Sequence, residues 1–139
     1  MDTIIFACVH NAGRSQMAAA FFNAIANPDK ARAVSAGTNP GDRVHPEVLE
    51  VMREAGIDLA DAKPQKLTDD VMRGARLLIT MGCGDECPYV PEMAREDWLL
   101  EDPKGKSLSR VREIRADVEQ RVRALVLREH WDGDRTAAP

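Results

Sequence analysis

Apolar and polar positions along this chain fall into alternating strand-like and helix-like stretches. Ile4-Ile5-Phe6-Ala7 is a short apolar run, the pattern of a strand buried on both faces. Residues 9–14 form a glycine-containing turn. Ser15 then opens a helix over 16–26 that Asn27-Pro28 stops. Residues 32–36 predict a second strand, closed by Gly37. Pro46 suits the first turn of a helix running to about Ala55, with Gly56 as its C-terminal stop. A short helix is predicted over 69–73. A third strand is predicted over 76–81, around Leu77-Leu78-Ile79-Thr80, and a fourth over Trp98-Leu99-Leu100. Leu108, Val111, Ile114, Val118, Val122 and Leu125 recur every three or four residues among charged neighbours, which makes the last helix amphipathic. Residues 129–139 carry no period and are expected to be a loose tail, with Trp131 as the residue able to dock.

This alternation predicts an α/β fold, a mostly parallel sheet with helices on both faces in three αβα layers. The 139 residues suit one domain, taken as 1–128 with a tail over 129–139. Nineteen Lys and Arg stand against 23 Asp and Glu, a net charge of -4, so no basic surplus points to nucleic acid or to an anionic membrane surface. The apolar runs are too short to span a bilayer. The first residues lack a basic n-region, so the expected compartment is the cytoplasm, where thiols stay reduced. A small acidic domain of this kind is expected to be a monomer. Its three cysteines, Cys8, Cys83 and Cys87, make a poor disulfide framework and suggest catalytic, redox or metal roles. Ligands of doubly wound folds bind beyond the carboxyl ends of the strands, and Cys8, Cys83 and Asp102 all follow predicted strands.

The segment Cys8-Val9-His10-Asn11-Ala12-Gly13-Arg14-Ser15 joins the first strand to the first helix. A short loop there aims successive N–H groups inward as an anion nest, and the helix N-terminus adds positive character. Arg14 supplies a guanidinium fork for a tetrahedral oxyanion. Cys8 lies in the same field, which favours the nucleophilic thiolate. Ser15 is placed to donate to that sulfur. Asn11 and Gly13 tolerate unusual backbone conformations. No Gly-Lys-Ser/Thr is present, so the loop is not a nucleoside-triphosphate P-loop. His10 is expected to point away from the anion, and His45 and His130 are expected at the surface.

Cys83 and Cys87 are four apart. On a helical turn their Cα atoms would stand about 6 Å apart, within disulfide reach. Gly82 and Gly84 flank Cys83 and would make it mobile, as a thiol relay needs. A metal site is the alternative, weakened by the lack of a four-ligand set, and two unrelated thiols are another. No metal is expected. Asp102, before the stiffening Pro103, is placed to protonate a leaving oxygen, with Glu101 as its rival.

The loop from Cys8 through Ala18 resembles that of arsenate reductases built on the low-molecular-weight protein tyrosine phosphatase fold. The resemblance extends to Val34-Ser35-Ala36-Gly37-Thr38, to Cys83 with Cys87-Pro88, and to Asp102-Pro103 followed by Gly105-Lys106. It implies a four-stranded parallel sheet and arsenate as substrate. It also implies attack by Cys8 on arsenic, held by Arg14 and the N–H groups of 9–15, with Asp102 as acid. Cys83 and then Cys87 would resolve the adduct, and thioredoxin would reduce the final disulfide with no bound organic cofactor. Thioredoxin-linked members space their last two cysteines more widely than here. Some members bind potassium through two acidic residues, where this chain carries Ala19 and Gln65, so no such site is expected. Mycothiol or glutathione serves related reductases with one catalytic cysteine. Two other readings stand beside this one. A phosphatase of the same fold would use Cys8, Arg14 and Asp102 on phosphate esters, though Lys104 stands where an aromatic residue would follow Asp-Pro. A thiol sensor or arsenite-binding module would use the cysteines alone and leave Arg14 unexplained.

Overall fold

The computed structural model describes residues 1–82 and 93–133. Its four strands are β1 (Asp2–Cys8), β2 (Ala31–Gly37), β3 (Leu77–Thr80) and β4 (Ala94–Asp97). They form one all-parallel sheet in the order β2-β1-β3-β4. The helices are α1 (Arg14–Ile25), α2 (Pro46–Glu54), α3 (Asp69–Met72) and α4 (Leu108–Arg128). The expected three-layer α/β architecture is therefore present. Its layers are unequal, because α1, α2 and α4 cover one face and the four-residue α3 lies on the other.

Strand alternation explains this division. Ile4, Phe6 and Cys8 of β1 belong to the larger core with Met17, Phe22, Val48, Val118 and Val122. Ile5 and Ala7 belong to a smaller one with Ala36, Leu67, Met72 and Leu78. β1 is central and buried on both faces, as its unbroken apolar run predicts. The chain runs from β1 to β2 on one side and then crosses to β3 on the other. The carboxyl end of β1 is thus a topological switch point, where ligands of such sheets bind.

One expectation is corrected. The fourth strand is Ala94–Asp97, earlier than Trp98-Leu99-Leu100. Among the described residues it is a mostly exposed edge strand paired to β3, so no apolar alternation marks it. Trp98 instead turns into the core, its ring 5.6 Å from that of Phe6. Of the tail, the described residues dock through Trp131, the residue the sequence marks as able to do so. His130 reverses the chain with φ 61°, and Trp131 is buried against Phe22 with ring centroids 5.6 Å apart. Trp131 Nε1 donates to Asp2 Oδ2 at 3.0 Å, and its carbonyl accepts from Asn27 N at 2.8 Å. Burial of a large ring with a satisfied N–H holds the segment down. Among the described residues, no helix is long and apolar enough to cross a membrane.

Candidate active site

The loop between β1 and α1 is built by its carbonyls. Cys8 O, Val9 O, His10 O and Ala12 O accept from Thr38, Asn39, Gly41 and His45 N at 3.2, 2.8, 2.9 and 2.9 Å. Asn11 O accepts from Gln16 Nε2 at 3.0 Å, and Gly13 O from Met17 N at 3.0 Å. Every carbonyl from 8 to 13 is thus tied to surrounding structure. In a trans peptide the following N–H points the opposite way. The N–H groups of residues 9–14 therefore point away from the partners of those carbonyls, and with that of Ser15 they meet no acceptor among the described residues. This arrangement is compatible with the anion nest expected from the sequence, and it lies at the positive end of α1.

Side chains lock the loop from beneath. Asn11 is buried with φ 51°, the left-handed region that Asn tolerates. Its Oδ1 accepts from Gln65 N at 2.9 Å and from Gln16 Nε2 at 3.3 Å. Its Nδ2 donates to Ser15 Oγ at 2.7 Å. Ser15 Oγ lies 2.8 Å from Cys8 Sγ. That oxygen accepts from Asn11, and the hydroxyl can in turn donate its hydrogen to the sulfur in the thiolate form. Cys8 is a free, buried thiol at the floor of the nest. Gln16 also donates to Lys63 O at 3.3 Å, and Gln65 Nε2 donates to Ser35 O at 2.8 Å. Gln16 and Lys63 have no site role in the sequence reading, and Gln65 enters it only as a position compared with potassium-binding members, since these contacts join segments far apart in the chain. Ala19, the other position compared with potassium-binding members, is buried in the main core.

Arg14 is the first residue of α1 and is nearly enclosed. Nη1 donates to Leu100 O at 3.0 Å, and Nη2 stands 3.8 Å from Asp102 Oδ2. The guanidinium lies against Gly82, where a Cβ would collide with Nη1, and Gly82 has φ +87°. The glycine therefore serves the packing of Arg14, a role the sequence did not reveal. Asp102 is half-exposed, and its Oδ1 accepts from Lys104 N at 3.0 Å. Its rival Glu101 bonds Arg110 and pairs with Lys106 at 3.7 Å. The Arg110 hydrogen bond holds the Glu101 carboxyl below its ordinary range, which favours its carboxylate form.

His10 turns outward, with Nδ1 donating to Asn39 O at 3.1 Å. His130 is exposed, as expected. His45 departs from expectation. It caps α2, is half-buried, and lies beside the nest at Gly13. Burial pushes its pKa below the usual histidine value, against Asp102 and Glu47, which raise it. Cys83 and Cys87 lie outside the described residues. Among the described residues, no three His, Cys, Asp or Glu side chains gather as a metal site.

A family model for low molecular weight phosphotyrosine protein phosphatase matches residues 3–87. A glutaredoxin arsenate reductase of Synechocystis is 34% identical over 129 residues, covering 91% of this chain and 97% of that one. A thioredoxin-dependent arsenate reductase of Corynebacterium glutamicum superposes with a TM-score of 0.77 at 42% identity. That match covers 90% of this chain and 60% of the Corynebacterium protein, so the chain spans less than two thirds of its length. An arsenate reductase of Archaeoglobus fulgidus superposes with a TM-score of 0.75 at 33% identity, covering 88% and 98%. The chain belongs to the low molecular weight phosphotyrosine protein phosphatase family and falls among its arsenate reductases.

Proposed function

We propose that the chain reduces arsenate to arsenite with electrons from its own cysteines, and that thioredoxin restores them. The observation that carries this reading is the hydrogen-bonded chain from Asn11 through Ser15 to Cys8, ending on a sulfur at the floor of a loop whose N–H groups meet no acceptor among the described residues. Such a floor stabilises a thiolate and an oxyanion above it together. Arsenate settles on the N–H groups of 9–15, and Arg14 exchanges its carboxylate partner for the oxyanion. Cys8 attacks arsenic, a hydroxyl leaves as water with the Asp102 proton, and a Cys8–As bond forms.

Reduction needs two electrons. Cys83 attacks Cys8 sulfur, the sulfur–arsenic pair stays on arsenic, and arsenite departs from a Cys8–Cys83 disulfide. Cys87 attacks Cys83 and frees Cys8. Thioredoxin reduces the Cys83–Cys87 disulfide. These thiol steps rest on the positions of the two cysteines and on family membership. The protein thiols supply the electrons, so the scheme needs no bound organic cofactor or metal. The nest alone would serve phosphate ester cleavage equally, and the two further cysteines are what favour reduction.

Following NADPH loss with arsenate, thioredoxin and thioredoxin reductase tests the reading. Turnover is expected for wild type and none for Cys8→Ser, Cys83→Ser or Cys87→Ser. Normal turnover of the last two variants would overturn the relay. Turnover with glutathione and glutaredoxin but not with thioredoxin would overturn the assigned reductant.

A further inference from the structure

The loop carrying Asp102 rests on the anion loop through two kinds of contact. Arg14 reaches Leu100 O and Asp102, but it uses the fork that an oxyanion requires. The other contact is independent of Arg14. Pro103 is buried, although Lys104 and Gly105 after it are exposed. A Cβ placed on Gly13 would stand 2.7 Å from Pro103 Cγ and 3.4 Å from Pro103 Cδ. The pyrrolidine ring thus fills the space left by the missing side chain. His45 Cδ2 would stand 3.4 Å from the same point, so the imidazole closes that space from the α2 side. His45 is itself fixed to the anion loop by its N–H on Ala12 O at 2.9 Å.

We propose that Gly13, Pro103 and His45 form a docking contact that sets where the Asp102 carboxyl stands over the anion site. Gly13 permits the approach, Pro103 makes it, and His45 limits sideways travel. All three are positioning residues, and Asp102 is the group that meets the substrate. The contact outlasts the departure of Arg14 to the oxyanion, when the acid most needs a fixed place. Small displacements of a catalytic group cost large factors in rate. This inference rests on the arsenate-reducing reading.

Its test is single-turnover arsenite release with a parallel measurement of inorganic phosphate affinity. Pro103→Ala is expected to slow release about tenfold while phosphate affinity changes less than about twofold. In an Asp102→Asn background the same substitution is expected to have little further effect, because its route to the chemistry is gone. Gly13→Ala, which keeps the proline and pushes its ring, is expected to slow release in wild type and to cost less when Pro103 is already Ala. Equal slowing by Pro103→Ala with and without Asp102 overturns the inference, as does a loss of phosphate affinity matching the loss of rate. Wild-type rates for both single variants overturn it too. Absence of arsenite from wild type overturns the parent reading and the inference with it.

Discussion

Ser15 Oγ stands 2.8 Å from Cys8 Sγ. Asn11 Nδ2 donates to that oxygen at 2.7 Å, and the hydroxyl can in turn donate its hydrogen to the sulfur in the thiolate form. A hydrogen bond to a charged group contributes about 1.5–3 kcal/mol. Ser15→Ala is therefore expected to slow alkylation of Cys8 by iodoacetamide at neutral pH roughly ten- to a hundredfold. Alkylation at the wild-type rate would show that Ser15 does not support the thiolate.

Gln16 Nε2 serves Asn11 O, Asn11 Oδ1 and Lys63 O from a buried position. Gln16→Leu leaves the buried Asn11 O without its donor, a cost of about 1–3 kcal/mol. It also releases Asn11 from one of its ties. Urea unfolding should show the loss of stability, and phosphate affinity should fall in the same variant. A destabilised protein with unchanged phosphate affinity would make Gln16 a packing residue without influence on the nest.

Glu54 joins α2 to α4 through Arg112, at 2.8 Å, and Arg115, at 3.1 Å. The Arg112 hydrogen bond, helped by Arg115 and opposed by desolvation, lowers its carboxyl from 4.5 to about 2. As pH falls, the unfolded chain takes up this proton before the folded one. The contribution to stability is complete above 4.5 and is lost on descent through about 2. Glu54→Gln should flatten the acid limb of stability against pH in that window. Added salt should shrink the difference between the two proteins, because the site is solvent-screened. An unchanged acid limb would contradict the assignment.

Trp131 packs edge-on against Phe22 and lies under the Arg76 guanidinium, 5.4 Å from the ring centroid. Trp131→Ala should cost about 3–5 kcal/mol by the usual scale for large core truncations. Wild-type stability in denaturant would mean that the segment after α4 does not help hold the core.

The sequence was most legible where local pattern and chemistry coincide. An apolar run, a loop holding Cys8 and Arg14, and a helix opening at Ser15 together mark the candidate anion loop. α4 was legible because its apolar spacing matches the helical period. β4 was not, because an exposed edge strand reading Ala-Arg-Glu-Asp buries too little to alternate. Neighbouring Trp98 carries the apolar signal and belongs to the loop leaving the strand. Gln65 and Asn11 lie 54 residues apart, and His45 meets Gly13 only when α2 is in place. Gly82 also lies against Arg14, a contact between segments that the sequence does not show.

The claim on which the rest depends is that Cys8 bonds arsenic and a second cysteine of the same chain resolves it. Reduced Cys87→Ser protein mixed with arsenate, with no other thiol present, tests this directly by the arsenite formed and the disulfide left behind. The account expects about one arsenite per chain and a Cys8–Cys83 disulfide in the peptide map. No arsenite, or arsenite with Cys8 and Cys83 both still reduced, would contradict it.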